Sequence, residues 1–180
     1  MWNPDLYSDT LYFAASAHEG QFVPGKTYSY VVHLVDVCME TMRAAILEEL
    51  EDPNLAMQCA LLHDTLEDTA VTYEILLDRF GRDVANGVRA LSKKPDVPHT
   101  RKVLEEYLRE LATQKREVRI VKLADRIVNL REPPAHWDME KRKDYLEESR
   151  LILKFLKKTS PLLESRLNDK IYAYKRYIQE

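Results

Sequence analysis

Glycine is scarce in this sequence, with four residues in a chain of 180. None of them forms the glycine-rich loop that cradles phosphates in Walker-type or dinucleotide-binding proteins, so neither mode of nucleotide binding is expected. Alternating runs of β-branched residues, which mark half-buried strands, are also missing. The apolar residues recur at helical spacing instead, and this periodicity predicts an all-α protein.

Cysteines and long apolar runs are equally few. Cys38 and Cys59 both lie in apolar stretches without a CxxC partner, which indicates buried, reduced thiols and argues against a zinc-thiolate site. No apolar run approaches the roughly 20 residues that span a bilayer, so no membrane partner is expected. The first residues do not combine a basic region with an apolar one, so no secretory signal is predicted and a cytoplasmic location is expected.

Neither sign of charge dominates, since the formal net charge is −3. No global field therefore favours a nucleic-acid partner. A chain of this length suits one domain with a sizeable core. We expect a single domain over residues 1–180, with a C-terminal helical extension from about residue 160, and Pro133-Pro134 is the one candidate boundary. The sequence predicts no particular oligomeric state.

The predicted helices are separated by proline, glycine and polar turns. Asn54 is the expected N-cap of the third helix. A polar loop with Pro95 and Pro98 is expected over residues 92–99. The helices are predicted at residues 6–18, 28–49, 55 into the acidic stretch described next, 72–80, 82–91, 100–112, 117–130, 138–158 and 161–178.

One short stretch, Ala60 to Thr69, changes from apolar to acidic. If it is helical, His63, Asp64 and Glu67 share a face, and Asp68 lies one turn beyond Asp64. Carboxylates this close repel each other and normally need a cation or a shared proton. The alternative is a solvated helix end, but the residues just before His63 read as core, where a carboxylate is costly unless it is paired.

A second stretch, Val118 to Leu130, is apolar on nearly all sides and predicts a buried helix. Asp125 lies on it and is expected to be a partly buried carboxylate. It can be a metal ligand, or it can pair within the helix with Lys122, three residues earlier. The first interpretation is favoured because Asp64 is a second acid in a buried context. Asn129 lies one turn further on the same side.

His33 is a histidine within an otherwise apolar run. A lone histidine in such a run is more often a core residue than a ligand, but here it is one of several polar residues in buried contexts. The other histidines rank lower: His18 ends a helix, where it suits the C-terminal dipole, and His99 and His136 stand beside prolines in loops.

Two imidazoles and two carboxylates without a thiolate suit a divalent Mn²⁺, Fe²⁺, Co²⁺ or Mg²⁺ ion. Such an ion polarises a phosphoryl oxygen and lowers the pKa of water. Glu67 and Asp68, outside the ligand set, could move protons on the attacking water and the leaving oxygen. The predicted reaction is metal-assisted hydrolysis of a phosphate ester or anhydride.

Several blocks, in order, resemble the HD metal-dependent phosphohydrolases, and in particular the RelA/SpoT-type (p)ppGpp hydrolase domain and its small stand-alone relatives. Leu61 to Thr69 resembles the ALLHDxxEDT signature of that domain, and Val121 to Leu130 resembles its VKLADRxxN block. Phe80 to Lys93 is similar to its FGxxVAxLVxxLTK-like segment. Ala17 to Gln21 and Tyr30 to His33 resemble AHxGQ…PYxxHP. The resemblance covers about residues 9–156.

The resemblance implies an all-α HD-domain helical bundle that hydrolyses guanosine tetra- or pentaphosphate and releases pyrophosphate from the 3′ position. The sequence departs from the family pattern at two places. After AHxGQ, Phe22 and Val23 stand where the family often has basic residues, and Lys26 follows later. After His33, Leu34 stands in place of the usual proline. Hydrolysis of another nucleotide or phosphate ester, or nucleotide binding without turnover, are the alternatives. The implied site has a Mn²⁺ ion on His33, His63, Asp64 and Asp125, with Glu67 and Asp68 assisting the water, and Lys26, Tyr30, Lys93, Lys122 and Asn129 near the nucleotide.

Overall fold

The computed structural model describes residues 2–93 and 100–178. Over this part of the chain it contains nine α-helices and a final 3₁₀ turn, with one isolated β-bridge between Phe22 and Ser29 and no strand. The predicted all-α class is confirmed. The helices are α1 (Pro4–Ala17), α2 (Val31–Leu47), α3 (Pro53–Leu62), α4 (Thr65–Asp68), α5 (Tyr73–Leu91), α6 (Arg101–Ala112), α7 (Arg116–Asn129), α8 (Met139–Phe155) and α9 (Pro161–Tyr174), followed by the 3₁₀ turn Lys175–Tyr177.

The third helix begins and ends differently from the prediction. Its N-cap is Asp52, not Asn54, because the Asp52 Oδ1 atom accepts hydrogen bonds from the backbone N–H groups of Asn54 and Leu55 at 3.1 and 3.0 Å. Pro53 then occupies the first helical position, where its missing N–H has no cost. The helix stops at Leu62, and the acidic residues follow in the one-turn helix α4. The acidic stretch is therefore two helices with His63-Asp64 at their junction.

Other helix boundaries also moved: α8 ends at Phe155 instead of residue 158, and α9 ends at Tyr174 instead of residue 178. Residues 28–30 belong to the turn before α2, because the Phe22–Ser29 bridge and the hydrogen bond from the Tyr30 N–H to the Gln21 carbonyl close a short loop there. The two helices predicted on either side of Gly81 form α5, which is kinked at Gly81, where φ is +81°. Glycine adopts this left-handed conformation without a Cβ clash. Pro95, Pro98 and His99 lie outside the described residues.

The core is built around α3 and α7. Every α3 residue from Leu55 to Leu62 is buried, as is every α7 residue from Glu117 to Val128 except Arg119. These two helices pack against each other and against α2, while α1, α5 and α9 surround them. A Cβ atom on Gly87 would lie 2.6 Å from the Cys59 sulfur, so glycine is what lets α5 approach α3 closely. No helix in the described ranges combines the length and apolarity needed to cross a membrane.

Candidate metal and catalytic site

Two buried histidines face each other where α2 begins and α3 ends. The Nε2 atoms of His33 and His63 are 3.3 Å apart. The His63 Nδ1–H donates to the Ala60 carbonyl at 2.8 Å, which leaves the Nε2 atom of His63 facing His33. Two nitrogens this close need a proton or a cation between them.

Two carboxylates complete the cluster. The Asp64 Oδ2 atom lies 2.9 Å from His63 Nε2 and 3.4 Å from His33 Nε2. The Asp125 Oδ1 atom, carried on α7, lies 3.6 Å from His33 Nε2 and 3.7 Å from His63 Nε2. The fold therefore brings together four side chains that are as much as 92 positions apart in the sequence.

The spacing and chemistry of these donors fit one divalent ion. Bonds of about 2.1 Å place neighbouring ligands roughly 3.0–3.4 Å apart, and the donor separations here run from 2.9 to 3.7 Å. His33, His63 and Asp64 alone form a geometrically adequate ligand group. The nitrogen and oxygen donors, without a thiolate, suit hard or borderline ions.

The electrostatics of the cluster also favour a cation. Burial opposes a charge on His63, yet the Asp64 and Asp125 carboxylates raise the pKa of its imidazole to about 10. Burial would likewise raise the pKa of Asp64, but His63 and then His33 hold it well below its usual range. The negative field of two carboxylates thus attracts positive charge to the histidine nitrogens.

Glu67 and Asp68 lie on α4, directly after the cluster. Both residues are exposed, and the Glu67 Oε1 atom accepts a hydrogen bond of 2.6 Å from the backbone N–H of Lys93. Desolvation by the surrounding protein raises the pKa of the Glu67 carboxyl. The pKa of Asp68 is raised by desolvation and then by the charge of Asp64. Both acids are therefore biased toward accepting a proton more readily than a free carboxylate does.

Three of the five residues expected near a nucleotide contact the cluster. Tyr30 donates from its hydroxyl to Asp64 Oδ2 at 2.5 Å. The buried Lys122 ammonium lies 3.1 Å from Asp125 Oδ2, and the Asn129 amide donates to Asp125 Oδ1 at 2.5 Å. The helical pair of Lys122 with Asp125 and the approach of Asp125 to the histidines thus occur together, each using a different carboxylate oxygen.

The other two residues of that group lie further out. The Lys93 backbone holds Glu67, and its ammonium is 3.4 Å from Glu148 on α8. Lys26 is exposed on the turn between α1 and α2. The structure therefore places Lys93 beside a candidate catalytic acid and Lys26 on a rim with free access to solvent.

Comparison with known proteins identifies the fold. A family model described as HD domain matches residues 10–156, most of the chain. The chain belongs to the HD domain family.

Named relatives of this HD domain share most of its length. The guanosine-3′,5′-bis(diphosphate) 3′-pyrophosphohydrolase MESH1 of Xenopus tropicalis is 35% identical over 170 residues, covering 91% of each chain. The protein of the same name from Danio rerio is 28% identical over 164 residues, covering 88% of each. A solved structure described as a metazoan orthologue of SpoT that hydrolyses ppGpp superposes with a TM-score of 0.81 at 23% identity, covering 99% of each chain. The structural likeness confirms the HD-domain helical fold.

Sequence reasoning did not include two residues that border the site of this HD domain. His18 is fully buried, stacks on the Tyr30 ring at 4.9 Å, and its Nδ1 atom lies 2.7 Å from Gln21 Oε1. The Gln21 amide in turn donates to the Asp68 carbonyl at 2.6 Å. Both residues belong to the AHxGQ-like block. The family resemblance points to that block, whereas helical periodicity gives no reason to assign its residues to the site. His136, ranked low as a ligand, is exposed.

Proposed function

We propose that this HD-domain protein hydrolyses guanosine-3′,5′-bis(diphosphate) and releases pyrophosphate from the 3′ position in a reaction that depends on a divalent metal. The observation that carries the proposal is the convergence of two imidazole nitrogens and two carboxylates beside the acids of α4. The names of relatives that match nearly the whole chain supply the substrate. We further propose that the protein works in the cytoplasm, in keeping with its two free cysteines.

His33, His63, Asp64 and Asp125 would hold the ion. When bound, it supplies a Lewis acid for the phosphoryl oxygen and lowers the pKa of water. Mn²⁺ is the proposed ion, and Fe²⁺, Co²⁺ and Mg²⁺ are the other ions that this donor set accepts. Tyr30 and Asn129 keep the two carboxylates in place, since each donates to an oxygen that faces the histidines.

The chemical step needs one proton acceptor and one proton donor. The water oxygen forms a bond to the phosphorus attached to the ribose 3′ oxygen, and the bond between that phosphorus and the 3′ oxygen breaks. The 3′ oxygen takes up a proton, which yields pyrophosphate and guanosine 5′-diphosphate. Glu67 and Asp68 are the proposed groups that accept the water proton and return one to the 3′ oxygen, and their raised pKa values suit both tasks.

The nucleotide phosphates are proposed to lie toward Lys93 and Lys26. The Lys93 backbone already holds Glu67, so a phosphate bound by the Lys93 ammonium would lie close to that acid. Lys122 acts through Asp125, because its ammonium is buried in the pair with that carboxylate. Charge-assisted hydrogen bonds from the two ammonium groups favour a highly charged substrate.

One observation favours a different nucleotide as a second candidate. The family resemblance implies a basic residue where Phe22 stands, and the Phe22 side chain is exposed on the turn that leads to α2. An aromatic ring there can stack on a base but cannot pair with a phosphate. With an aromatic residue in place of a basic one at this position, the second candidate function is hydrolysis of a nucleotide that carries fewer phosphates.

The test is a metal and substrate panel on the purified protein. Bound metals are measured by mass spectrometry, and pyrophosphate release is followed with guanosine-3′,5′-bis(diphosphate), other nucleoside phosphates and simple phosphate esters. We expect release from the first substrate, lost in Asp64→Ala together with the metal. Turnover of a different nucleotide alone would select the second candidate. A metal-loaded protein that hydrolyses none of them would show a binding module and overturn the proposal.

A further inference from the structure

Helix α2 carries a second apolar stripe that the fold leaves partly exposed. Val32, Val35, Met39, Met42 and Ile46 follow one another at alternating spacings of three and four residues. Val32, Met39 and Ile46 are 42%, 68% and 59% exposed, and Val35 and Met42 are half-buried. These five residues, the α2 seam, keep the seven-residue repeat of a coiled-coil stripe, with the exposed three at one heptad position and the half-buried two at the other.

The α2 seam borders the face by which α2 joins the core, and its half-buried Met42 also packs against that core. The core face consists of other residues, all buried: His33, Leu34, Val37, Cys38, Thr41, Ala44 and Ala45. A surface helix normally has one apolar stripe and a polar opposite face. Isolated exposed apolar residues are common, but an ordered row that spans roughly 21 Å along one helix has the form of a surface that binds a partner.

We propose that the α2 seam binds the α2 seam of a second copy of this chain in an antiparallel, two-fold symmetric dimer. A seam with a heptad repeat is self-complementary, because each knob of one helix fits a hole of the other. A two-fold axis brings the same patch of both copies together and closes the assembly at two subunits.

The charges beside the α2 seam set the direction of the pair. Asp36 and Arg43 border one side of it, whereas Cys38 and Ala45 on the other side are buried in the subunit. In a parallel pair each charged edge would meet the uncharged edge of the other copy. In an antiparallel pair the charged edges meet, and Asp36 of each copy faces Arg43 of the other. Opposite charges at the rim favour that register over its alternative.

The expected dimer is weak. Two helices of this length bury less surface than a standard interface, which places the contact among transient ones. Asp36 also pairs with Arg131 in its own chain, so its contribution across the dimer is shared. The seam and His33 lie on different faces of α2, so association leaves the ligand cluster inside each subunit.

Sedimentation equilibrium of the purified protein, over a series from micromolar to millimolar concentration, tests the dimer. We expect reversible dimerisation, weakened roughly tenfold or more by Met39→Glu, which puts a charge at the centre of the seam. Tyr12→Glu on α1 is the matched control, because Tyr12 is also 68% exposed but lies off the seam. Unchanged thermal unfolding of each variant at low concentration shows that both fold.

Exchanging the charges at Asp36 and Arg43 tests whether the two α2 helices pair in the antiparallel direction. Asp36→Arg and Arg43→Asp should each weaken the dimer, and the double variant should restore it, since the opposed charges are then exchanged in both copies. A wild-type protein that stays monomeric throughout, or a dimer insensitive to Met39→Glu, overturns the proposal. A double variant as weak as the single ones overturns the antiparallel arrangement.

Discussion

Tyr30 and Asp64 are joined by a hydrogen bond of 2.5 Å from the phenol to the Oδ2 atom. The same oxygen lies 2.9 Å from His63 Nε2, so the residue just before α2 sets the position of a carboxylate at the junction of α3 and α4. Because His33 stands three residues after Tyr30, the first turn of α2 and its N-cap residue supply both an imidazole of the cluster and the donor that orients its neighbouring acid.

Tyr30→Phe should therefore weaken metal binding without removing a ligand. Loss of a donor to a ligating carboxylate typically costs about 10- to 100-fold in metal affinity or activity. Titration with Mn²⁺, together with kcat/KM at saturating metal, measures the two effects. Tyr12→Phe, an exposed tyrosine on α1, is the control. Equal metal affinity in Tyr30→Phe and the wild type would contradict the orienting role.

The pair of Lys122 with Asp125 predicts a stability effect that is separate from catalysis. Both residues are buried and their charged atoms are 3.1 Å apart. Removing one partner leaves a buried charge, so Asp125→Asn should destabilise the metal-free protein by about 3 kcal/mol. Lys122→Met combined with Asp125→Asn should recover most of that loss, because no unpaired charge remains.

Urea unfolding of the metal-free protein and its variants measures this cycle. Metal affinity is its second readout, and we expect it to be lost in both variants that lack the Asp125 carboxylate. A double variant no more stable than Asp125→Asn would mean that the pair contributes little to folding. Recovery of metal binding in the double variant would exclude Asp125 as a ligand.

Glu67→Gln should separate catalysis from metal binding. The amide keeps an oxygen for the Lys93 backbone N–H but cannot take a proton, so we expect kcat to fall about 10²- to 10⁴-fold. Metal content should stay unchanged, because Glu67 lies outside the ligand group. Glu74→Gln, an exposed residue at the start of α5, is the control. Wild-type kcat in Glu67→Gln would remove this residue from the proton-transfer step.

Glu148 predicts how stability changes with pH. Burial would raise the pKa of its carboxyl, but Arg126 and then Lys93 hold it below its usual range. Because the folded pKa is lowered, this stabilisation is complete above the unfolded value of roughly 4.3 and is lost as the pH falls through the folded pKa. Glu148→Gln should cost about 2 kcal/mol at neutral pH, where Arg126 loses a charged hydrogen bond.

The difference in the free energy of unfolding between the wild type and Glu148→Gln should shrink as the pH falls below the pKa of the free carboxyl. Urea unfolding at a series of pH values measures it. Glu147→Gln is the control: Glu147 is next in sequence, but it is more than half exposed and pairs with Arg150 on the surface, so it should change stability little. A difference that stays constant with pH would refute the Glu148 assignment.

Local pattern predicted most helices but missed their junctions. Apolar periodicity located α7 as a buried helix, because a chain apolar on all sides has only the core to occupy. The same periodicity predicts that α3 continues through the acidic stretch, whereas the structure has a break in the helix at His63-Asp64. A break in a helix depends on where each end packs, which no local spacing records. Residue type predicts Asn54 as the N-cap, although Asp52 does the capping.

The sequence alone determined the all-α class, the buried nature of the α7 stretch and the residue types of the candidate site. These follow from composition and short-range spacing, and the order of the motifs indicated the HD resemblance. The tertiary structure decided which of those residues meet. It brought His33 and Asp125 to His63 and Asp64, buried His18 against Tyr30, and left part of the α2 seam exposed. The physical reason is that contacts between distant residues depend on how helices pack, and spacing along the chain carries no such information.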